Sequence, residues 1–548
     1  MLQQQLTTSK QEAIKKVNSY RRGTLAFPFI NKQYLVCVPF CIFVSISLFA
    51  QHQRTIKVDF NIEKGKLNRF FNECVGAGRA NEGLRADWQE QLRYVTKECG
   101  FKYIRMHGLL CDDMGVYKEE NGQPVYNFQY VDALFDALLR IGIKPFVELG
   151  FMPAALASGN NTVFWWRGNS TPPRNYQKWE DLIRALTLHF TERYGKQEVK
   201  TWYFEVWNEP NLDGFWRGTQ ADYFKLYRHS ATAIKSVDSA YRVGGPATAG
   251  AAWVPEMLDY CKQNNVPIDF VSTHTYGVKQ GFLDEFGRGG TVLSKDKNAV
   301  SGDVINSHKQ IAQSFYPNLE LHYTEWSSSY TPADPIHDSY HQAAYLLQKL
   351  KEVGASANSM SYWVFTDIFE EAGVRFGAFH SGFGLLTIQG INKPAFYAYQ
   401  FLNKLSETEL VNTDEASWVC KGNKGIQVLL WNYTNTHPGD SVHNQKYYIQ
   451  NLPAKANGKV KVWVSGMPKG LYTLKVHRVG YRSNDAYTSF LDMGKPTNLT
   501  REQLTKIKQD NSGSPVAVLT VKVTSNGIFQ KELAIKENEV FLLSMMKK

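Results

Sequence analysis

The chain has 548 residues, which is too long for one ordinary domain and long enough to bury a large core. Hydrophobic residues make up 43% of it and aromatic residues 14%, which is typical of a globular protein. The first 50 residues hold six basic residues and one acid, so they contribute +5 of the net charge of +11. The other basic residues form no tract with interleaved aromatics, which argues against nucleic-acid binding.

The first recognisable element is an apolar stretch at residues 34–50 that follows a basic region. It ends in a small residue, Ala50, which is typical of a secretory signal peptide cleaved at that point. An uncleaved anchor is the competing interpretation, but a segment this short that contains Pro39 is marginal for crossing a bilayer. Residues 1–50 are therefore predicted to be a signal peptide, and the protein to be secreted or periplasmic, without stable membrane association.

Between residues 65 and 401, short apolar runs alternate with amphipathic helical stretches. In one of these stretches Trp88, Leu92 and Cys99 fall on one helical face before a glycine. The expected strands are 70–76, 103–107, 145–150, 202–208, 242–246, 270–274, 319–324 and 361–365. Strands and helices in this alternation predict an α/β chain whose catalytic domain is a (β/α)8 TIM barrel.

Residues 402–548 have a different pattern, with short alternating runs bounded by Gly, Pro and Asn. These runs are 426–431, 447–449, 459–464, 516–523 and 539–544. They predict an accessory antiparallel β-sandwich with one inserted helix at 500–509. A strand within residues 51–64 is expected to join this sandwich.

The cysteines give no sign of a metal site or a disulfide framework. Five of them follow residue 50, and they are far apart and odd in number. No pair has metal-ligand spacing, so buried thiols are expected. The sequence implies neither a metal nor an organic cofactor.

Chemically active side chains follow the expected barrel strands. Catalytic groups of such barrels sit at the carboxyl ends of the strands. The residues that fall there are His107, Glu148, Asn208, Glu209, His274, Tyr276, Glu325 and Asp367. This coincidence predicts an active site at that end of the barrel.

Glu209 and Glu325 follow the fourth and seventh expected strands, whose ends face one another across the barrel mouth. Two carboxylates are the minimum equipment for cleaving a glycosidic bond. Glu209 is predicted to act as general acid and then general base, and Glu325 as nucleophile. The amide of Asn208 is placed to donate to a sugar 2-hydroxyl. The sequence cannot fix the gap between the carboxylates, so retention and inversion both stay open on these grounds, and a structural salt bridge at the rim is the alternative.

The chain resembles glycoside hydrolase family 39, the retaining β-xylosidases and α-L-iduronidases, from about residue 57 to its C terminus. The motifs that carry the resemblance include Tyr103-Ile-Arg-Met-His-Gly, Trp202-Tyr-Phe-Glu-Val-Trp-Asn-Glu-Pro-Asn211, Ser272-Thr-His-Thr-Tyr276, Tyr323-Thr-Glu-Trp326 and Tyr362-Trp-Val-Phe-Thr-Asp-Ile-Phe-Glu-Glu371. The resemblance implies that Glu209 is the acid/base and Glu325 the nucleophile. It also implies a sugar subsite formed by His107, Asn208, His274, Tyr276, Trp363, Glu370 and Glu371.

Within that family the sequence favours the xylosidase branch. The iduronidase branch is expected to have Lys two residues after His274, because a buried uronate carboxylate needs a cation. This chain has Tyr276 there, which suits a neutral pentose. Arg375 departs from the xylosidase pattern. It is expected to point to solvent, and the alternative is that it approaches a charged substituent of the substrate.

The sequence therefore predicts an exo-acting β-xylosidase that releases xylose from non-reducing ends of a carbohydrate such as a xylo-oligosaccharide. The alternatives are another retaining glycosidase of the same frame, namely an α-L-iduronidase, β-glucosidase or α-L-arabinosidase. A non-catalytic carbohydrate-binding protein is a third interpretation, although it would be expected to lack one of the two glutamates. The sequence is compatible with an oligomer.

Overall fold

The structure is a computed structural model that describes residues 54–280, 290–439 and 441–548. Within these residues, eight parallel strands close into a barrel, and each pairs with its neighbours in chain order. The barrel strands are Cys74–Arg79, Tyr103–His107, Lys144–Leu149, Tyr203–Val206, Arg242–Thr248, Phe270–Tyr276, Glu320–Ser327 and Ser359–Tyr362. The predicted (β/α)8 barrel is confirmed.

A long helix follows each barrel strand. These helices are Ala86–Cys99, Gln129–Ile141, Tyr176–Tyr194, Gln220–Val237, Val254–Asn264, Ser301–Gln313, His341–Val353 and Pro394–Asn403. Capping residues set the ends of these helices. Asn175 caps the third helix by accepting hydrogen bonds from two backbone N–H groups. The first helix ends at Gly100, whose φ of 76° is the left-handed conformation that glycine tolerates.

The first and last barrel strands differ from the sequence expectation. Phe70–Asn72 is a 3₁₀ turn, and the first strand begins only at Cys74. The eighth strand, Ser359–Tyr362, begins two residues earlier than expected and ends sooner. Phe70 and Phe71 are buried in the core, and an apolar run predicts burial without fixing the backbone conformation that achieves it.

Two further sheets form the β-sandwich. The larger has seven strands in the order Glu63–Lys66, Thr408–Leu410, Ser417–Gly422, Gly425–Trp431, Val540–Lys547, Gly470–Val479 and Ala517–Val523. The smaller has the order Arg54–Asp59, Ala456–Ser465 and Phe529–Lys536. The accessory β-sandwich is thus confirmed as part of the fold, although Arg54–Asp59 pairs in parallel with its neighbour.

One sandwich strand was predicted wrongly. Residues 447–449 were expected to be a strand, but Asn444–Tyr447 is a single helical turn. The aromatic rings there pack on one another instead, with Tyr447 and Tyr448 both against His437. The inserted helix occupies Arg501–Asp510, close to the predicted position, and Thr500 caps it.

Shorter elements decorate this frame. The two-stranded pairs are Tyr117–Glu120 with Gln123–Tyr126, Thr162–Val163 with Gly168–Asn169, and Val278–Gln280 with Val292–Leu293. The short helices are Ala80–Leu84, Asp112–Met114, Lys196–Val199, Ala249–Ala251, Pro335–His337 and Ala486–Asp492. The hairpin formed by Thr162–Val163 and Gly168–Asn169 borders the candidate site described below.

Barrel and sandwich residues share one hydrophobic core. Trp418, Leu429 and Trp431 of the sandwich belong to the same buried cluster as the barrel helices. The indole N–H of Trp431 donates to Gln348 Oε1 across 2.9 Å. Arg54 binds both carboxylate oxygens of Asp414 at 2.7 and 2.5 Å.

The predicted signal peptide, residues 1–50, lies outside the described residues. The helices that the structure describes include none with the length and hydropathy of a membrane span. The domain boundaries at residues 65 and 402 stay predictions. The five cysteines that follow residue 50 are buried free thiols.

Candidate active site

Glu209 and Glu325 converge at the carboxyl end of the barrel. Glu325 lies in the seventh strand beside His274 of the sixth, and Glu209 follows the fourth strand. One oxygen of each carboxylate and one ring nitrogen of His274 all lie within 4.8 Å of one another. Two acids remote in the sequence therefore share one buried pocket.

Glu325 is held by donors on both of its oxygens. Arg105 Nη1 donates to Oε1 at 2.5 Å, and the Tyr276 hydroxyl donates to Oε2 at 2.8 Å. A donor on each oxygen, one of them a charged guanidinium, fixes the orientation of the carboxylate. The arrangement suits a nucleophile that must be held in one orientation.

Glu209 has the opposite environment. Burial raises the pKa of Glu209 to about 7, although the nearby charges of His107 and Arg105 oppose the shift. Burial also lowers the pKa of His274 to about 4, so this imidazole is neutral near pH 7. Its Nδ1 lies 2.9 Å from Glu209 Oε1. A proton can therefore reside on Glu209 near neutral pH, as a general acid requires.

The backbone around Glu209 is unusual. Trp207 and Glu209 adopt left-handed conformations, with φ of 72° and 46°. The N–H of Glu209 donates to the Ala247 carbonyl at 2.8 Å, which anchors the turn. Non-glycine residues held this way cluster at functional sites, because the surrounding structure must enforce the conformation.

Arg105 connects the inward-facing acids of the barrel. Its Nε donates to Glu205 at 2.8 Å, and its Nη2 lies 2.9 Å from Glu148. Nη2 also donates to Asn208 Oδ1 at 2.9 Å, so the Asn208 NH2 group faces away from the arginine. Neither Arg105 nor Glu205 was predicted as a site residue from the sequence. The available signal was a charged residue inside an otherwise apolar strand, in the same alternation as His107.

His107 carries charge in the pocket wall. Burial alone would lower the pKa of His107, but the adjacent Glu148 carboxylate outweighs it and raises the pKa to about 10. Its Nδ1 lies 2.6 Å from Glu148, and its Nε2 lies 3.4 Å from Glu371. Burial raises the pKa of Glu371 to about 7, although His107 opposes the shift. Trp363 packs on the same imidazole, with ring centroids 4.7 Å apart.

Glu370 is placed differently from its neighbour Glu371. It pairs with Arg79 at 3.1 Å and with Arg85 at 3.4 Å. Its backbone N–H donates to Glu82 Oε1 at 2.9 Å. Burial, reinforced by the Glu370 charge, raises the pKa of Glu82 to about 8. Glu370 is thus paired with two arginines, whereas Glu371 faces His107.

Arg375 does not simply point to solvent, which corrects the sequence expectation. Its side chain is half-buried, and Nη2 is buried without a hydrogen-bond partner. Burial lowers the pKa of Arg375, while the charges of Glu371 and Asp367 oppose that shift. The loop backbone turns the side chain inward, and a residue pattern cannot predict that turn.

Glu209, His274 and Glu325 also have donor spacing that could hold a metal ion. Both oxygens of Glu325 are already hydrogen-bonded, and a buried guanidinium lies against one of them. That positive charge disfavours a cation at the same place. The donor set is therefore better suited to acid–base chemistry on an organic substrate.

The model of the family described as Glycosyl hydrolases family 39 matches residues 54–530. The chain belongs to glycoside hydrolase family 39. It is therefore a glycosidase, and the resemblance found in the sequence is confirmed. A β-xylosidase of Caldicellulosiruptor saccharolyticus is 40% identical over 469 residues, which cover 83% of this chain and 92% of that protein.

Further similar proteins agree with this assignment. A β-xylosidase of Geobacillus stearothermophilus is 38% identical over 496 residues, covering 88% of this chain and 93% of that protein. The solved structure of a monomeric β-xylosidase from Caulobacter crescentus CB15 has a TM-score of 0.87 and 43% identity. It covers 90% of this chain and 99% of that one. This family 39 chain thus shares both barrel and sandwich with solved relatives.

Proposed function

We propose that this protein is an exo-acting β-xylosidase that releases xylose from non-reducing ends with retention of configuration. One observation carries the mechanism: oxygens of Glu209 and Glu325 lie within 4.8 Å, burial raises the pKa of Glu209 to about 7, and donors hold both oxygens of Glu325. Retaining glycosidases hold their carboxyl groups about 5–5.5 Å apart, and inverting enzymes about 6.5–9.5 Å apart. A closest approach of at most 4.8 Å between their oxygens is nearer to the retaining spacing and supports retention. The family 39 β-xylosidases support the choice of sugar.

In the first step, an oxygen of Glu325 attacks the anomeric carbon and displaces the glycosidic oxygen. Glu209 gives its proton to that oxygen as the bond breaks, so the aglycone leaves as a neutral alcohol. The side-chain oxygen of Asn208 accepts a hydrogen bond from Arg105, so its NH2 group is free to donate to the sugar 2-hydroxyl. That bond strengthens as positive charge develops on the ring.

In the second step, water replaces the aglycone. Glu209 is now a carboxylate, and it takes a proton from the water as the oxygen attacks the anomeric carbon. The bond to Glu325 breaks, and its carboxylate regains the hydrogen bonds from Arg105 and Tyr276. Two inversions at one carbon give net retention, and Glu209 ends the cycle protonated.

The proposed sugar subsite is lined by His107, His274, Tyr276, Trp363 and Glu371, with Glu370 behind them. The charged His107 donates, and Glu371 accepts, so adjacent hydroxyls of a neutral pentose are matched. Tyr276 binds the proposed nucleophile rather than a substrate carboxylate. These features support a neutral sugar.

One observation favours a second candidate, an acidic sugar such as an α-L-iduronide. The buried Nη2 of Arg375 has no partner, and the side chain interacts electrostatically with Glu371. A guanidinium so placed would suit a carboxylate. Aryl glycosides of xylose, iduronate, glucose and arabinose, compared by kcat/KM, separate these candidates. The main proposal fails if the xyloside is not among the best substrates.

The mechanism is tested with an activated 2-fluoro-xyloside, which slows breakdown of the glycosyl-enzyme. The expected result is a mass increase of one 2-fluoroxylosyl group, located on Glu325 by peptide mapping. Label on another residue would remove Glu325 from its role. Glu325→Ala, which should fold but not turn over, also distinguishes an enzyme from a carbohydrate-binding protein.

We propose in addition that the mature protein begins after Ala50 and is exported. N-terminal sequencing of protein purified from the native producer tests this directly. Retention of residues 34–50 would favour the anchor interpretation.

A further inference from the structure

An open cavity of about 370 Å³ lies beside the candidate active site. It is formed by segments that follow the second and third barrel strands, and none of the proposed catalytic or sugar-binding residues lines it. Its size falls in the range of small-molecule sites. The polar groups around it include Asp112, Asp113, Asn160, Thr162, Trp166 and Arg167.

The hairpin at residues 162–169 contacts both this cavity and the candidate active site. Phe164 stacks on His107, with ring centroids 5.8 Å apart and an interplanar angle of 23°. Trp166, two residues later, lines the cavity. The backbone N–H of Trp165 donates to the backbone carbonyl of Glu371 at 2.8 Å, which fixes the hairpin tip against the proposed sugar subsite.

The backbone of this tip is held in an uncommon conformation. Phe164 and Arg167, at its two ends, have φ of 66° and 59°, in the left-handed region. Neither is glycine, so the surrounding contacts must enforce the turn. Phe164 thus stacks on His107, whereas Trp166 lines the cavity, and the two rings contact each other.

The cavity offers the groups that bind a neutral sugar. The ring of Trp166 forms part of its wall, and an aromatic ring in such a wall can cover a sugar face. Asp113 supplies a carboxylate, and the exposed Arg167 supplies a guanidinium. A site with both signs of charge and an aromatic wall suits a polyol better than an ion.

The cavity is also connected to the proposed sugar subsite by charge. Arg79 forms an ion pair with Asp113 on one side and with Glu370 on the other. Its guanidinium also lies over the Trp166 ring, 5.5 Å from the centroid. An occupant that binds Asp113 would therefore alter the ion pair between Arg79 and Glu370.

We propose that this cavity is a second saccharide-binding site, which holds a neutral pentose unit of a xylo-oligosaccharide outside the catalytic pocket. Only the sugar class rests on the proposed function. The site itself rests on the cavity, the Trp166 ring in its wall and the polar groups Asp113, Asn160 and Arg167 that line it.

The test is calorimetric titration of the full chain with xylotriose, before and after treatment with the 2-fluoro-xyloside. Asn160→Trp fills the cavity from an exposed lining position, and Asn161→Trp adds the same ring at an exposed neighbour outside the lining. We expect xylotriose binding to persist after treatment. Asn160→Trp should weaken it about tenfold or more, and Asn161→Trp less than about twofold.

The proposal is overturned if no binding survives treatment, or if Asn160→Trp and Asn161→Trp bind equally well. Turnover of the aryl xyloside should stay close to that of the wild type in both variants. A missing mass increase would count against the catalytic proposal alone, because the comparison of the two tryptophan variants still decides the second site.

Discussion

The hydroxyl of Tyr276 donates to Oε2 of Glu325 across 2.8 Å. This contact joins the end of the sixth strand to the seventh. It gives the proposed nucleophile a hydrogen-bond donor, and the strength of that hydrogen bond depends on the charge of Glu325. When Glu325 becomes an ester the oxygen loses its charge and the hydrogen bond weakens, and when the ester is hydrolysed the bond is restored. Substitution of Tyr276 is therefore expected to alter the rate of the proposed reaction.

Tyr276→Phe should lower kcat/KM for an aryl β-xyloside by about 10²-fold, the typical effect of removing one donor from a reacting oxygen. Thermal stability should change little, because the ring is kept. Steady-state kinetics and a melting curve check both parts. Wild-type kinetics in Tyr276→Phe would exclude a role for this hydroxyl.

Glu209→Ala should affect substrates according to their leaving groups. A dinitrophenyl xyloside needs little protonation, so its first step should remain fast, whereas xylobiose hydrolysis should be lost. Added azide should restore turnover of the activated substrate by replacing the water that Glu209 activates. Equal loss on both substrates, without azide rescue, would contradict the acid/base assignment.

The pH profile should have an alkaline limb near pH 7. Glu209 must be protonated to act as an acid, and burial raises its pKa to about 7. The ratio kcat/KM should therefore fall as pH rises through that value, since this ratio reports the free enzyme. The limb should be absent from the first step of Glu209→Gln with an activated substrate. A limb that persists there belongs to another group.

Glu209→Gln should stabilise the protein at alkaline pH. A carboxyl group whose pKa is higher in the folded state costs stability as pH rises from about 4.5 to about 7. The gain in free energy of unfolding should be absent below that window and reach at most about 3 kcal/mol above it. Melting temperatures at pH 4 and pH 8 test this, with Glu192→Gln, at an exposed position, as control. An equal gain at both pH values would refute the linkage.

Arg375→Met should keep xyloside turnover within about threefold of the wild type and leave stability unchanged or slightly higher. The variant keeps a long apolar side chain and removes a buried donor that has no partner. A large loss on the xyloside would mean that Arg375 binds the neutral sugar. Loss confined to an iduronide would support the second candidate.

The barrel and the two glutamates were predictable because each depends on a short local pattern. Strand–helix alternation gives the barrel, and the ends of two such strands locate Glu209 and Glu325. Arg105 was missed because its importance depends on three acids from other strands, which no local pattern brings together. Arg375 was misjudged because its direction depends on the backbone of a loop.

The pairing of Arg54–Asp59 with Ala456–Ser465 limits how this enzyme can be dissected. The segment that precedes the catalytic barrel completes a sheet built from the far end of the chain. Removal of residues 402–548 would leave that strand without its partner, and removal of the strand would open an edge on the sandwich. The barrel and the sandwich are thus poor candidates for simple truncation or exchange. They should be transferred or expressed together.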